Sequence, residues 1–356
     1  MTENNEVIKR GRGAAVRIVA AVLPVLLLAA CTAEAPRPST TAKPTSTEKA
    51  WVSTYTPPAA TELAPLRGTA VAPGTLDHPS LAVKIDNHNA ARPQIALERA
   101  DIIFEELVEG GQTRYAGIWH SDIPPLIGPV RSIRPMDPDI ISPFGGIVAY
   151  SGGQDKFVYM MKRTPVVNAI FDYDRTGLFY RLNTKSAPHN VVVKAQTLVG
   201  RYPKLAAPRQ QFAYAATAAS SSAVLDGTPV RTIATRFSTA RWPSWAWDAK
   251  SNYYLRSQNG TPDRNDKGAQ LKATNVVTMR VGIDNRFGDV PKTTMIGSGE
   301  AFVSTGGKSL RATWSKTGTS SPIRLVDGNG VTIRLAAGNT WIELVPAKQG
   351  SVKLVP

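Results

Sequence analysis

The residues best suited to chemistry are arginines set close together in a proline-stiffened stretch, Gly128-Pro129-Val130-Arg131-Ser132-Ile133-Arg134-Pro135. A guanidinium stays charged and presents a planar fork of N–H donors that can bond two oxygens of a phosphate or carboxylate at once. Arg114, at the start of an expected strand, can add a third positive group. Around these lie Asp86-Asn87, Arg92-Pro93, Glu105, Glu106, Glu109, Tyr150-Ser151-Gly152-Gly153 and Ala187-Pro188-His189-Asn190. Several sit at strand ends or in Gly/Pro loops, where binding groups tend to be presented. The expected ligand-binding set is Asp86, Asn87, Arg92, Glu105, Glu109, Arg114, Arg131, Ser132, Arg134 and His189, with Glu105 and Glu109 orienting the arginines. The same acids and arginines could equally pair with one another as a structural network. His189 is suited to general acid–base work, with an ordinary pKa near about 6.5, or to a purely structural hydrogen bond.

Other chemistry is poorly supported. His88, His120 and His189 lack metal-ligand spacing, and neither a metal nor a cofactor is expected. Asp263 and Asp266, in the polar loop from Gly260 to Gly268, fit an ordinary turn better than a calcium site. Ser46-Thr47-Glu48-Lys49, Ser257-Gln258-Asn259 and Lys316-Thr317-Gly318 reproduce three short motifs of penicillin-binding proteins. The first serine, however, falls in a Pro/Thr-rich stretch instead of a packed helix, so this reading is set aside. A nucleophile elbow, a phosphate-binding Walker loop and a dinucleotide fingerprint are all missing from the sequence.

The address of the chain is written at its start. Lys9, Arg10, Arg12 and Arg17 precede an apolar run from Ile18 to Ala30, which is shorter than the roughly 20 residues a membrane-crossing helix needs. With Leu28-Ala29-Ala30-Cys31 it reads as a lipoprotein signal peptide, residues 1–30, cut before an acylated Cys31. Cys31 is the single cysteine of 356 residues, so no disulfide can form within the chain and cysteine nucleophiles are excluded. The net charge is +15. On an exported protein held to a membrane by a fatty acyl chain such as palmitate, that excess favours anionic lipids or wall polymers over nucleic acid.

Residues 31–66 are rich in Pro, Thr and Ala and are expected to form a disordered tether. Residues 67–208 alternate strand-like runs (Leu81 to Ile85, Ile102 to Val108, Arg114 to His120, Gly146 to Tyr150) with helical stretches at Gln94 to Ala100 and Asp155 to Lys162. This predicts a mixed α/β domain. Residues 209–356 carry many short β-rich runs between Gly turns, predicting an antiparallel β-rich domain. The expected class is therefore α+β.

The mature chain resembles the YerB-like lipoproteins, a bacterial family catalogued as a domain of unknown function with separate N- and C-terminal parts. The resemblance rests on Ile85-Asp86-Asn87, Ala91-Arg92-Pro93-Gln94, Glu109-Gly110-Gly111-Gln112-Thr113-Arg114, the Gly128–Pro135 run, Ser151-Gly152-Gly153 and Ala187-Pro188-His189-Asn190. In the second half it rests on Asn252-Tyr253-Tyr254-Leu255-Arg256 and Gly338-Asn339-Thr340-Trp341-Ile342. It implies a two-part fold and a lipoprotein, but no activity.

Together these expectations describe an envelope protein lipid-anchored on the extracytoplasmic face of the cell membrane, binding an anionic wall polymer or a phosphorylated lipid precursor. Trp242, Trp245, Trp247, Trp314 and Trp341 could offer sugar-stacking faces, although aromatic rings more often belong to the core. Two alternatives stay open. One is a phosphate-handling enzyme of wall glycopolymer assembly, since the arginine loop resembles the pyrophosphate pockets of LytR-type transferases in residue type and local context. The other is a scaffold for other envelope proteins. Replacing Cys31 by serine is expected to abolish metabolic labelling with a fatty-acid analogue. An unlabelled wild-type protein recovered from the cytosol would overturn the address.

Overall fold

In the computed structural model, which describes Thr54 and residues 58–356, the apolar runs become strands of one long mixed sheet. The signal segment, Cys31, Ser46 and most of the tether lie outside the described residues. In chain order the principal strands are β1 (Leu81–Asp86), β2 (Ile102–Leu107), β3 (Thr113–Trp119), β4 (Ile147–Tyr150), β5 (Val167–Ile170) and β6 (Val191–Lys194). They continue with β7 (Thr232–Arg236), β8 (Pro243–Asp248), β9 (Tyr253–Gln258), β10 (Asn275–Asp284), β11 (Gly297–Thr305), β12 (Lys308–Lys316), β13 (Thr340–Pro346) and β14 (Ser351–Val355). Helices α1 (Asp137–Ile141), α2 (Asp155–Lys162) and α3 (Ala195–Gly200) fall in the first half.

The long sheet runs β12-β11-β10-β13-β2-β3-β1-β4-β5. Strand β13, near the end of the chain, lies between β10 and β2 and is parallel to both. The sheet is therefore continuous from the first half of the sequence into the second. A second, antiparallel sheet, β9-β8-β7-β14, is edged beyond β9 by the short strand Thr261–Pro262.

Both faces of the first-half strands are covered, which explains why β1, β2 and β3 are buried along their whole length. Alternation then divides their side chains. Ala82, Phe104, Ala116 and Val148 face α1 and α2 and pack on Ile140, Ile141, Phe157 and Met161. Leu81, Val83, Ile103 and Tyr115 face the other way and share a core with Ile233, Trp245, Tyr254 and Trp341. Full burial of each such side chain is worth about 1.5–3 kcal/mol.

The molecule is thus mostly β, built from several sheets. Helix α2 takes the expected bounds, with Asp155 in its first turn and Lys162 in its last, each complementing the helix dipole. The expected helix from Gln94 to Ala100 shrinks to a single 3₁₀ turn, Leu97–Arg99. Its start is spent elsewhere: Ile95 and Gly128 exchange backbone hydrogen bonds, fixing an extended bridge to the arginine loop. Of the tryptophans read as sugar-stacking faces, Trp245, Trp314 and Trp341 are core residues, and Trp247 is half-buried against Tyr254. Only Trp242 of this set is exposed, at 44%.

Because β13 closes the sheet between the two halves, residues 58–356 are expected to unfold in one cooperative step. Tryptophan fluorescence and far-UV circular dichroism should give superimposable urea curves, and a chain cut at residue 338 should show no cooperative transition.

Candidate functional site

Parallel strands β1 and β4 pair only over Leu81–Val83 and then separate. The arginine stretch is wedged into the gap at their carboxyl ends, the usual place for a binding crevice in parallel sheets. The Arg131 N–H donates to Lys84 O (2.8 Å) and the Ser151 N–H donates to Arg131 O (2.9 Å), so residue 131 is pinned from both sides. The Asp86 N–H donates to Pro129 O and the Val130 N–H to Val191 O, which ties the stretch to β1 and to β6. The cis bonds at Arg92-Pro93, Gly128-Pro129 and Ala187-Pro188 all lie around this region.

Three guanidiniums come together here. Arg114, on β3, reaches past the strand to donate to Ser132 O (2.9 Å). Its pKa falls to about 10, first because burial removes water and then because Arg134 and Arg131 repel its charge. Arg134 pairs with Glu109 (2.8 Å) and donates to Ile133 O. Burial alone would raise the Glu109 pKa, but this hydrogen bond and the positive charges of Arg134 and Arg114 hold it below the ordinary carboxylate value. The Arg131 Nε lies 3.1 Å from Asp86 Oδ2 without hydrogen-bond alignment. The same oxygen meets His189 Nδ1 at 2.7 Å, and the His189 ring stacks on His88 at 4.4 Å. Among the described residues, the terminal nitrogens of Arg131, Nη2 of Arg114 and Nη2 of Arg134 bond no protein group. Three arginines face only Asp86 and Glu109 at this level.

Beneath them, Lys84 is wholly buried and bonds Glu106 and Asp137 (2.7 Å to the latter), while Asp137 also accepts the Arg134 N–H. Two acids to one ammonium is unfavourable without water. Burial, and then the neighbouring Asp137 charge, push the Glu106 pKa up to about 7.

The remaining expected residues belong to a second group on the opposite face. Asn87 donates to Glu105 (3.2 Å) and to the Thr113 hydroxyl (2.7 Å), and accepts from Arg92. Arg92 also bonds Asp263, Tyr115 and Gln258. At the centre is Arg256, fully buried, held by Glu105, Asp263 and Gln258 and lying 4.8 Å from the Trp341 ring centroid. Glu105 therefore orients Arg256, not the three clustered arginines. The cause is alternation: Glu106 opposes Arg114 across the ladder, and Glu105 opposes Tyr115. Asp263 is occupied by two guanidiniums, so it is not available as a calcium ligand. Glu343 next to Glu105 is driven strongly toward its neutral form by burial and then by the Glu105 charge.

The structure thus brings together Asp86, Glu109, Arg114, Arg131, Ser132, Arg134 and His189, and separates Asn87, Arg92 and Glu105 from them. Sequence reasoning missed Lys84, Asp137 and Arg256. Lys84 had a readable mark, since it interrupts an otherwise apolar strand.

Comparison with known proteins fits this architecture. The N-terminal domain of the family described as "Protein of unknown function (DUF3048)" matches residues 66–208, and its C-terminal domain matches residues 233–342. The chain belongs to the DUF3048 family. This DUF3048 protein is 26% identical over 298 residues to "Putative lipoprotein YerB" of Bacillus subtilis (strain 168), covering 80% of the chain and 86% of the relative. The crystal structure of YerB protein from Bacillus subtilis superimposes with a TM-score of 0.72 at 22% identity, over 82% of this chain and 99% of that one. The likeness in structure is one of fold. Among the described residues no helix is long and apolar enough to cross a membrane.

The Lys84–Glu106–Asp137 triad carries a pH signature. Glu106 binds its proton more tightly folded than unfolded, so its contribution to stability is complete below about pH 4.5 and is lost as pH rises through about 7. Glu106→Gln should retain more of its pH 5 stability at pH 8 than the wild type does, measured by urea unfolding at both values. An unchanged difference between the two pH values would contradict the assignment.

Proposed function

We propose that this protein is a membrane-anchored envelope lipoprotein that binds a phosphate-bearing or otherwise anionic ligand through Arg114, Arg131 and Arg134. The observation that carries this reading is the convergence of three guanidiniums with free donors at the carboxyl ends of β1 and β4. The terminal nitrogens left over are open to solvent, where the oxygens of an anion can replace water as their acceptors. Asp86 and Glu109 fix Arg131 and Arg134 from behind, and Ser132 adds a hydroxyl beside them. Anchoring follows from the lipobox at Cys31 and from the name of the Bacillus relative; the outer face of the membrane follows from the export signal.

A second reading is favoured by one feature. His189 gives Nδ1 to Asp86 and keeps Nε2 free, the arrangement of an acid–base histidine beside an anion site. Under that reading the protein is a phosphate-handling enzyme of wall glycopolymer assembly, and His189 moves the proton.

Inorganic pyrophosphate is a suitable probe. Each charge-assisted bond to an anion is worth about 1.5–3 kcal/mol, so Arg131→Ala should weaken binding by roughly 10–150-fold in calorimetry while the variant stays folded. Unchanged affinity would remove the anion site. Turnover of a phosphodiester or pyrophosphate lost in His189→Gln, with binding kept, would favour the enzyme. Retention of an envelope protein with no small-anion binding would favour the scaffold.

A further inference from the structure

A cavity lies away from the three arginines. It is a cleft of about 610 Å³ between the Asn89–Pro93 segment and the loops following β9. That size falls within the range of about 300–1,000 Å³ usual for small-ligand sites. Its base is preformed, because Arg92 and Asp263 are locked to each other and to Gln258 and Arg256. Its walls are not saturated. Asn89, Thr261 and Asp266 make no side-chain hydrogen bond among the described residues, and Arg264 commits only Nη1, to Gly268 O (2.7 Å). The Nε of Arg92 is buried without a partner. Next to the lining residue Asn259, whose Oδ1 accepts the Trp242 backbone N–H (3.0 Å), the exposed Trp242 indole packs over Gly260, so closely that a Cβ there would meet the ring at 3.2 Å.

The chemistry of this lining is specific in kind. Arg92 and Arg264 are balanced by Asp263 and Asp266, so the cleft has no net demand for charge. It offers donors and acceptors side by side, with the faces of Pro93 and Pro262 between them. Neutral hydroxyl-rich rings satisfy that pattern, since each hydroxyl both donates and accepts while the C–H faces lie on apolar surface and indole. An extended peptide fits less well. The sheet edge at the cleft is Thr261–Pro262, and Pro262 has no N–H to offer an added strand.

We infer that this cleft is a carbohydrate subsite taking neutral hexose units of a glycan. One segment connects it to the arginine group: Asp86 holds Arg131 and His189, His88 stacks on His189, and Asn89, Arg92 and Pro93 line the cleft. The arginines and the cleft are thus joined through one backbone segment but open on different faces, and an anionic glycan would meet them as separate sites. That extension rests on the anion-binding reading, whereas the cleft stands without it.

The test uses the full chain and two probes in calorimetry, a neutral N-acetylglucosamine tetramer and inorganic pyrophosphate. The tetramer should bind saturably. Arg264→Ala and Trp242→Ala, both at exposed positions, should each weaken it about tenfold, leave pyrophosphate binding unchanged and leave thermal unfolding unchanged. Arg131→Ala should do the reverse. No saturable response to the tetramer overturns the carbohydrate subsite even where pyrophosphate binds normally. Tetramer binding indifferent to both cleft variants overturns its location. A flexible peptide that saturates the wild type but not Arg264→Ala, with no response to the tetramer, replaces sugar by polypeptide. Loss of pyrophosphate binding alone sinks only the arginine site.

Discussion

Arg256 is the constraint on which the rest of the molecule leans. A guanidinium without water is tolerable only where opposite charges and aligned acceptors surround it. Here Glu105 comes from β2, Asp263 from the loop beyond β9, and Tyr115, Trp245 and Trp341 supply ring faces at 5.5, 5.7 and 4.8 Å. Removing one member of such a buried set costs about 3–5 kcal/mol, because its partners stay charged and unmet. An exposed pair such as Arg311–Glu300 is worth roughly 0–1 kcal/mol. The buried set therefore decides how the two sheets register, and Arg92 and Asn87 inherit their positions from it.

The two polar groups are separated by single steps along a strand. Asp86 and Asn87 are successive residues, as are Glu105 and Glu106, and in each pair one member serves the arginine cluster or its base while the other serves Arg256. A slip of one residue in β1 or β2 would exchange these roles and leave charges without partners. Polar burial here sets register as strictly as the apolar pattern does.

Much of this was legible from the residues. The runs at Leu81, Ile102, Thr113 and Ile147 are apolar and β-branched, and they are strands. The loop rich in Gly, Pro and Arg does collect at strand ends, and Arg114 does join it. What could not be read is pairing across distance. Arg256 sits in an alternating run after Tyr253-Tyr254, where an arginine looks like a solvent-facing residue; only the fold brings Glu105, 151 positions away, against it. The tryptophans were ambiguous for a related reason: large rings serve core and ligand alike, and their neighbours decide which; the core reading, the commoner one, holds for Trp245, Trp314 and Trp341. Glu105 and Glu109 looked like a matched pair, and the unknown register of β2 against β3 hid their separation.

The placement of β13 bears on how the polypeptide is made. Ribosomes deliver β2 long before the strand that will permanently flank it. Throughout that interval its outer row of peptide groups is open to any passing extended chain. The sheet of the first half is therefore complete only once the last segment of the chain has been made and docked beside it.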